Sequence, residues 1–209
     1  MGSILFWVIA LVAVTVLSPL FRVLIALVAG KKIGAAALAR QPDRIDLTRT
    51  APTAWKNNAA TGAIAAVLTS RGFEDAGVYT IPEMPGILVQ LLAHSGEGVY
   101  AAIYEHAQAG VWFDLVSRFQ DGTSVTYTTS PATGLKPRPG HPSVNMRGSE
   151  TGAVLNKLLA MRPKRPNAGA SVGMAVSFFE QAYAETIAYR KRVGISTSEV
   201  VKTATRKAA

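Results

Sequence analysis

The sequence predicts an α+β chain with a single transmembrane helix at its amino terminus, followed by one domain in which helices flank a five-stranded antiparallel meander. Three observations predict it. No charged side chain falls between Ile4 and Phe21. Between Val78 and Thr129, five runs rich in β-branched and aromatic residues are separated by short Gly, Pro and Asp turns. Outside those runs, apolar residues recur at spacings of three and four, the helical period.

The amino-terminal run comes first because it sets the compartment. About 18 apolar residues suffice to cross a hydrocarbon core, so Ile4–Phe21 predicts one crossing within an anchor over residues 1–30. The seven residues after Arg22 are too few to return. Arg22 is expected at the membrane boundary, with Lys31 and Lys32 beyond it, because a guanidinium is costly at the bilayer centre and can snorkel near its edge. A cleaved leader would need a basic start and a shorter apolar stretch, and Met1-Gly2-Ser3 carries no base. Basic residues gather only on the carboxyl side, so the positive-inside rule puts the rest of the chain in the cytoplasm.

The net charge of +9 is unevenly spread. Residues 22–56 carry seven bases and two acids, 57–156 five and eight, and 157–209 ten and three. Basic flanks around a slightly acidic centre predict attraction to anionic lipid headgroups and argue against nucleic acid, whose readers are basic where they fold. The absence of cysteine excludes cysteine catalysis and agrees with a reducing compartment.

In chain order, residues 31–56 predict a basic juxtamembrane linker broken at Pro42 and Pro52. A soluble domain follows over 57–193. Ile64, Val67 and Leu68 share one face of a helix from Asn58 to Arg71, stopped by Gly72. The strands are expected at 78–81, 87–94, 99–106, 111–119 and 123–129. The last hairpin has two possible registers. A two-residue Asp121-Gly122 turn would set Thr128 and Ser130 against the apolar face of Val111, Phe113 and Leu115. A three-residue Gln120-Asp121-Gly122 loop instead opposes Leu115 to Tyr127 and Ser117 to Val125, and burial selects it.

The connection 130–148 holds four prolines and is longer than most loops in compact domains, which are functional or disordered at that length. Ser149 caps a short helix bearing Val154, Leu155 and Leu158. A final amphipathic helix over 171–192 aligns Val172, Val176, Phe179, Tyr183 and Ile187, with Gly194 ending it and a frayed basic tail over 194–209.

No motif assigns a reaction. There is no nucleophile elbow, and Gly96-Glu97-Gly98 is a hairpin turn rather than a phosphate loop. His94 and His106 fall at opposite ends of one hairpin, too far apart to share a metal ion. No cofactor is expected. The candidate partner surface consists of Trp112, Asp114 and Arg118, on the strand face turned away from the predicted core, together with Lys136, Arg138 and His141 of the proline-rich stretch. Two functions fit. One is a single-pass membrane-tethered cytoplasmic domain, non-enzymatic, binding an unidentified protein partner. The other is a small-molecule or lipid-binding domain, or an enzyme on a membrane-delivered substrate, with a pocket near Tyr100, Tyr104, Phe113 and Tyr127.

Overall fold

The computed structural model of the protein describes residues 29–131 and 134–206. The apolar run Ile4–Phe21 and Arg22 lie outside the described residues. Among those described, no helix is long and apolar enough to cross a membrane, and the expected spanning helix falls on residues outside them.

Five helices and seven strands are described: α1 over residues 29–39, β1 Thr48–Thr50, α2 Asn58–Ser70, β2 Glu74–Thr80, β3 Ile87–His94, β4 Val99–His106, β5 Gly110–Arg118, β6 Ser124–Thr128, β7 Ser143–Asn145, α3 Thr151–Met161, α4 Ala175–Val193 and α5 Thr197–Arg206. Contacts group them into two units. The described residues of the smaller unit are 29–41, 134–136 and 187–206, and those of the larger are 42–131 and 137–186.

The larger unit is built on one sheet with strands in chain order, β1 to β7. The expected five-stranded antiparallel meander is therefore corrected to seven strands in a mixed sheet. Neighbours from β1 to β6 are antiparallel, whereas β7 lies parallel to β6. Parallel pairing needs a crossover, and the long connection after β6 supplies it. Both added strands are three residues long and largely exposed, so neither carries the apolar alternation by which strands are read from sequence.

Both faces of the sheet are covered. On one, Leu92, Val99, Ile103, Phe113, Leu115, Val125 and Tyr127 pack with Leu68 of α2 and Val154, Leu155 and Leu158 of α3. On the other, Val89, Leu91, Tyr100 and Ala102 pack with Val176, Phe178, Phe179 and Tyr183 of α4. Double coverage accounts for β4, whose first five residues are all buried. The face turned away from the predicted core is thus roofed by the last long helix. Pro42–Trp55, read from sequence as linker, is packed as well: Ile45 and Trp55 are buried, Leu47 donates its N–H to Glu180, and Pro42 accepts from the Tyr183 hydroxyl.

The last hairpin adopts the three-residue loop. Leu115 opposes Tyr127 and Ser117 opposes Val125, with Gly122 at φ +80°. That left-handed backbone suits glycine, and the extra residue keeps Tyr127 and Val125 turned inward. At the end of α2, the N–H of Gly72 reaches Thr69 and that of Phe73 reaches Leu68, closing the helix in a Schellman turn.

The start of α2 is fixed from the sheet. Glu105 on β4 is 7 % exposed, and its carboxylate accepts the N–H groups of Lys56 and Asn57 at 2.8 and 2.7 Å. Asn57 in turn caps the helix by accepting from Ala60. Negative charge at a helix amino terminus is favourable, so one acid sets both chain direction and dipole. Glu105→Ala, which strands two donors, is expected to lower unfolding free energy by about 1 to 3 kcal/mol in urea titration.

Candidate functional site

Strand alternation puts Trp112, Asp114, Val116 and Arg118 on the face roofed by α4. Tyr100 and Tyr104 share that face, while Phe113 and Tyr127 belong to the opposite core. Phe178 stacks on Tyr100 with centroids 4.4 Å apart, and Trp112 stacks on Tyr104 at 5.0 Å. Trp112 is half-buried, an internal member of an aromatic row rather than a bare anchor.

Asp114 sits between these rings and β6. It opposes Ala102 on one side and Thr128 on the other. The residue as a whole is half-buried, yet its Oδ1 is closed to solvent and meets no hydrogen-bond donor. Loss of water raises its pKa from 3.8 to about 6, against the lowering pull of hydrogen bonds from Thr128 and Tyr104. Tyr104 is shifted far upward, first by its own burial and then by the Asp114 charge and hydrogen bond. This pair is buried polar chemistry that the sequence did not expose, since alternation places Asp114 opposite the predicted core without saying what covers it.

A second cluster lies along the same face. The Glu185 carboxylate on α4 takes Arg138 Nη2 at 3.0 Å on one oxygen, with Arg118 Nη2 at 4.0 Å and Gln181 Nε2 at 2.8 Å on the other. Arg118 also lies over the Phe178 ring, 5.4 Å from its centroid. Both guanidiniums and Glu185 are at least two-thirds buried or nearly so, with 26 %, 20 % and 35 % of their side chains exposed. Burial pushes the Glu185 pKa up, but the hydrogen bonds from Arg138 and Gln181 and the charges of the two arginines hold it below its usual value.

His141 completes the cluster. Its Nδ1 lies 2.8 Å from Ser124 Oγ and 3.3 Å from Arg138 Nη2. A guanidinium can only donate, so Nδ1 accepts and the proton of the neutral ring is on Nε2. Burial first, and then the Arg138 charge, lowers the His141 pKa, which keeps the ring in that neutral form.

These contacts bolt the proline-rich connection to the sheet. The N–H groups of Ser124 and Thr126 donate to the carbonyls of Gly140 and Pro142, and that of Met146 to Thr128. The outward side chains of this ribbon, among them Pro137, Pro139, Pro142 and all of β7, are exposed. Arg118, Arg138 and His141 of the expected partner surface therefore come together, but as internal fasteners. Lys136 belongs to the smaller unit, as do Lys31 and Lys32 on α1, and Arg22 lies outside the described residues.

The remaining histidines are spent locally. His94 Nδ1 accepts from Glu97, and His106 Nδ1 accepts from Gln108 and Ala109 in the next turn. Among the described residues, no three His, Asp or Glu side chains converge as a metal site would require. Comparison with family models, curated proteins and solved structures finds no match for this chain.

A carboxyl that holds its proton more tightly when folded contributes stability that is whole below pH 3.8 and is lost as pH rises to about 6. Replacing Asp114 with Asn should remove that loss. The variant is expected to match the parent near pH 4 and to exceed it by on the order of 2 kcal/mol at pH 7, read from urea midpoints across the interval.

Proposed function

We propose that the protein is a non-enzymatic interaction or accessory domain, held at the cytoplasmic face of a membrane by its apolar amino-terminal stretch, and that its partner surface is the ordered proline ribbon 137–147. The observation that carries this reading is how firmly the ribbon is fixed while its outer side is left open. Arg138 and His141 point inward to Glu185 and Ser124, whereas Pro137, Pro139, Pro142, Ser143 and Val144 are exposed. An irregular segment of this length loses much conformational entropy when ordered. Having lost it already, the segment has less to lose on binding. Strand β7 also forms the outer edge of the sheet, where a partner segment can add by main-chain hydrogen bonds.

The attachment to membrane rests on composition: an uncharged run of 18 residues, Ile4–Phe21, followed by Arg22, Lys31 and Lys32. The competing pocket near Tyr100, Tyr104, Phe113 and Tyr127 draws no support from the fold, because the sheet stands between the first two residues and the last two.

Val144 is 37 % exposed and lies on β7, so its substitution leaves the ribbon's inward contacts intact. With a photo-crosslinking residue at Ser143 of the full chain in its native membranes, a discrete protein adduct is expected. Val144→Lys should abolish it without lowering the melting temperature. An adduct that persists unchanged in Val144→Lys would remove the ribbon as the partner surface.

A further inference from the structure

The smaller unit holds a cleft of about 510 Å³. Its apolar wall is Ala35 of α1 with Val193 and Ile195, and its polar rim includes Lys31, Lys136 and Tyr189. Charge in this unit is one-sided: three bases from 29–41, Lys136 and five bases from 187–206 face a single acid, Glu199.

That acid is fully engaged. Arg190 Nη1 pairs with Glu199 at 3.1 Å, both side chains being 10 % exposed or less. The N–H of Lys136 and both the N–H and hydroxyl of Ser196 also donate to the Glu199 carboxylate. Burial alone would raise its pKa, but these donors bring it down to about 2, so it stays ionised and its charge answers Arg190. Arg190 additionally donates to the Lys136 carbonyl. The ammonium groups of Lys31 and Lys136 have no carboxylate within ion-pair distance among the described residues, so the cleft carries an unanswered positive rim over an apolar wall.

A second observation points to what meets this rim. Ile33, Leu135 and Val193 are three large apolar side chains left exposed in the same small unit, amid its bases. Exposed apolar groups interspersed with Lys and Arg are the composition of surfaces that lie in a membrane interface. In the sequence, the same unit follows directly on the uncharged run Ile4–Phe21.

We propose that this cleft takes the phosphate headgroup of an anionic phospholipid, with Lys31 and Lys136 on the phosphate and Ala35, Val193 and Ile195 against the glycerol and upper acyl carbons. The inference rests on membrane attachment as proposed above. It goes further in assigning a discrete lipid site to two named lysines, where a diffuse basic surface would need no site. Lys136 engages Glu199 and Arg190 through its backbone, so its side chain is free to change without disturbing that ion pair.

The test uses the full chain purified in mild detergent and presented with equal amounts of phosphatidylglycerol and phosphatidylcholine, the retained lipids being counted by native mass spectrometry. Wild type is expected to retain one phosphatidylglycerol in clear preference. The Lys31→Gln/Lys136→Gln double variant, checked for unchanged circular dichroism, should lose roughly fivefold of that preference per lysine. Equal retention of the two lipids by wild type, or an undiminished preference in the variant, would overturn the site. Displacement of the lipid by excess inorganic phosphate would overturn the lipid as occupant and leave a soluble phosphate in its place. Release of the protein from membranes by alkaline washing is a separate result, one that contradicts the attachment and not the chemistry of the cleft.

Discussion

One carboxylate fastens three elements of the larger unit. Glu185 extends from α4 and meets Arg118 from β5 and Arg138 from the proline ribbon. Two cations on one acid leave a positive surplus in a partly desolvated place, and that surplus is softened by the Phe178 ring under Arg118. Exposed ion pairs contribute little, but breaking a desolvated one leaves a charge with neither water nor partner. The position of α4 over the sheet and the course of the ribbon beside β6 both depend on this arrangement. His141 is kept neutral first by burial and then by the nearby Arg138, which disfavours a second positive charge and supplies the donor its Nδ1 accepts.

Function is constrained by how these groups are used. The arginines and histidine that sequence offered as a binding surface are consumed in holding the fold together, and the sheet divides the aromatic residues that a common pocket would need. What the larger unit leaves outward is shape: an ordered ribbon of prolines ending in an open strand edge. Such a surface suits recognition of another chain by main-chain pairing. Asp114 is the exception within the interior, a carboxyl shut beneath Tyr104 with one oxygen unmet, and it costs stability at neutral pH. A buried polar group without a partner lowers stability wherever it stands.

Much of the fold was legible in the sequence, for physical reasons that also explain the failures. Strands β3 and β4 fall at 87–94 and 99–106 as expected, because both are short, largely apolar runs bounded by Gly and Pro turns. The register of the last hairpin was readable because a one-residue slip would turn Tyr127 and Val125 out of the core. Strands β1 and β7 were not, since Thr48–Thr50 and Ser143–Asn145 bury almost nothing and carry no apolar alternation. Helix α5 did leave a signal in what was read as a frayed tail. Ser196 and Glu199 form a capping box, Ser-x-x-Glu, whose reciprocal hydrogen bonds start the helix. At the candidate site, alternation placed Trp112, Asp114 and Arg118 correctly on one face but could not say what roofs it. Glu185, which organises the cluster, lies far along the chain on a helix whose apolar stripe gave no hint of it.

The most direct measurement is amide hydrogen exchange on the ribbon in the parent protein and in Glu185→Gln. If one carboxylate fastens the ribbon to the sheet, the amides of Ser124, Thr126 and Met146, which carry the ribbon–β6 hydrogen bonds, are slow in the parent. In the variant they speed up while the β3–β4 amides keep their protection. Unchanged exchange at Ser124, Thr126 and Met146 in Glu185→Gln would contradict the claim that this carboxylate holds the ribbon in place.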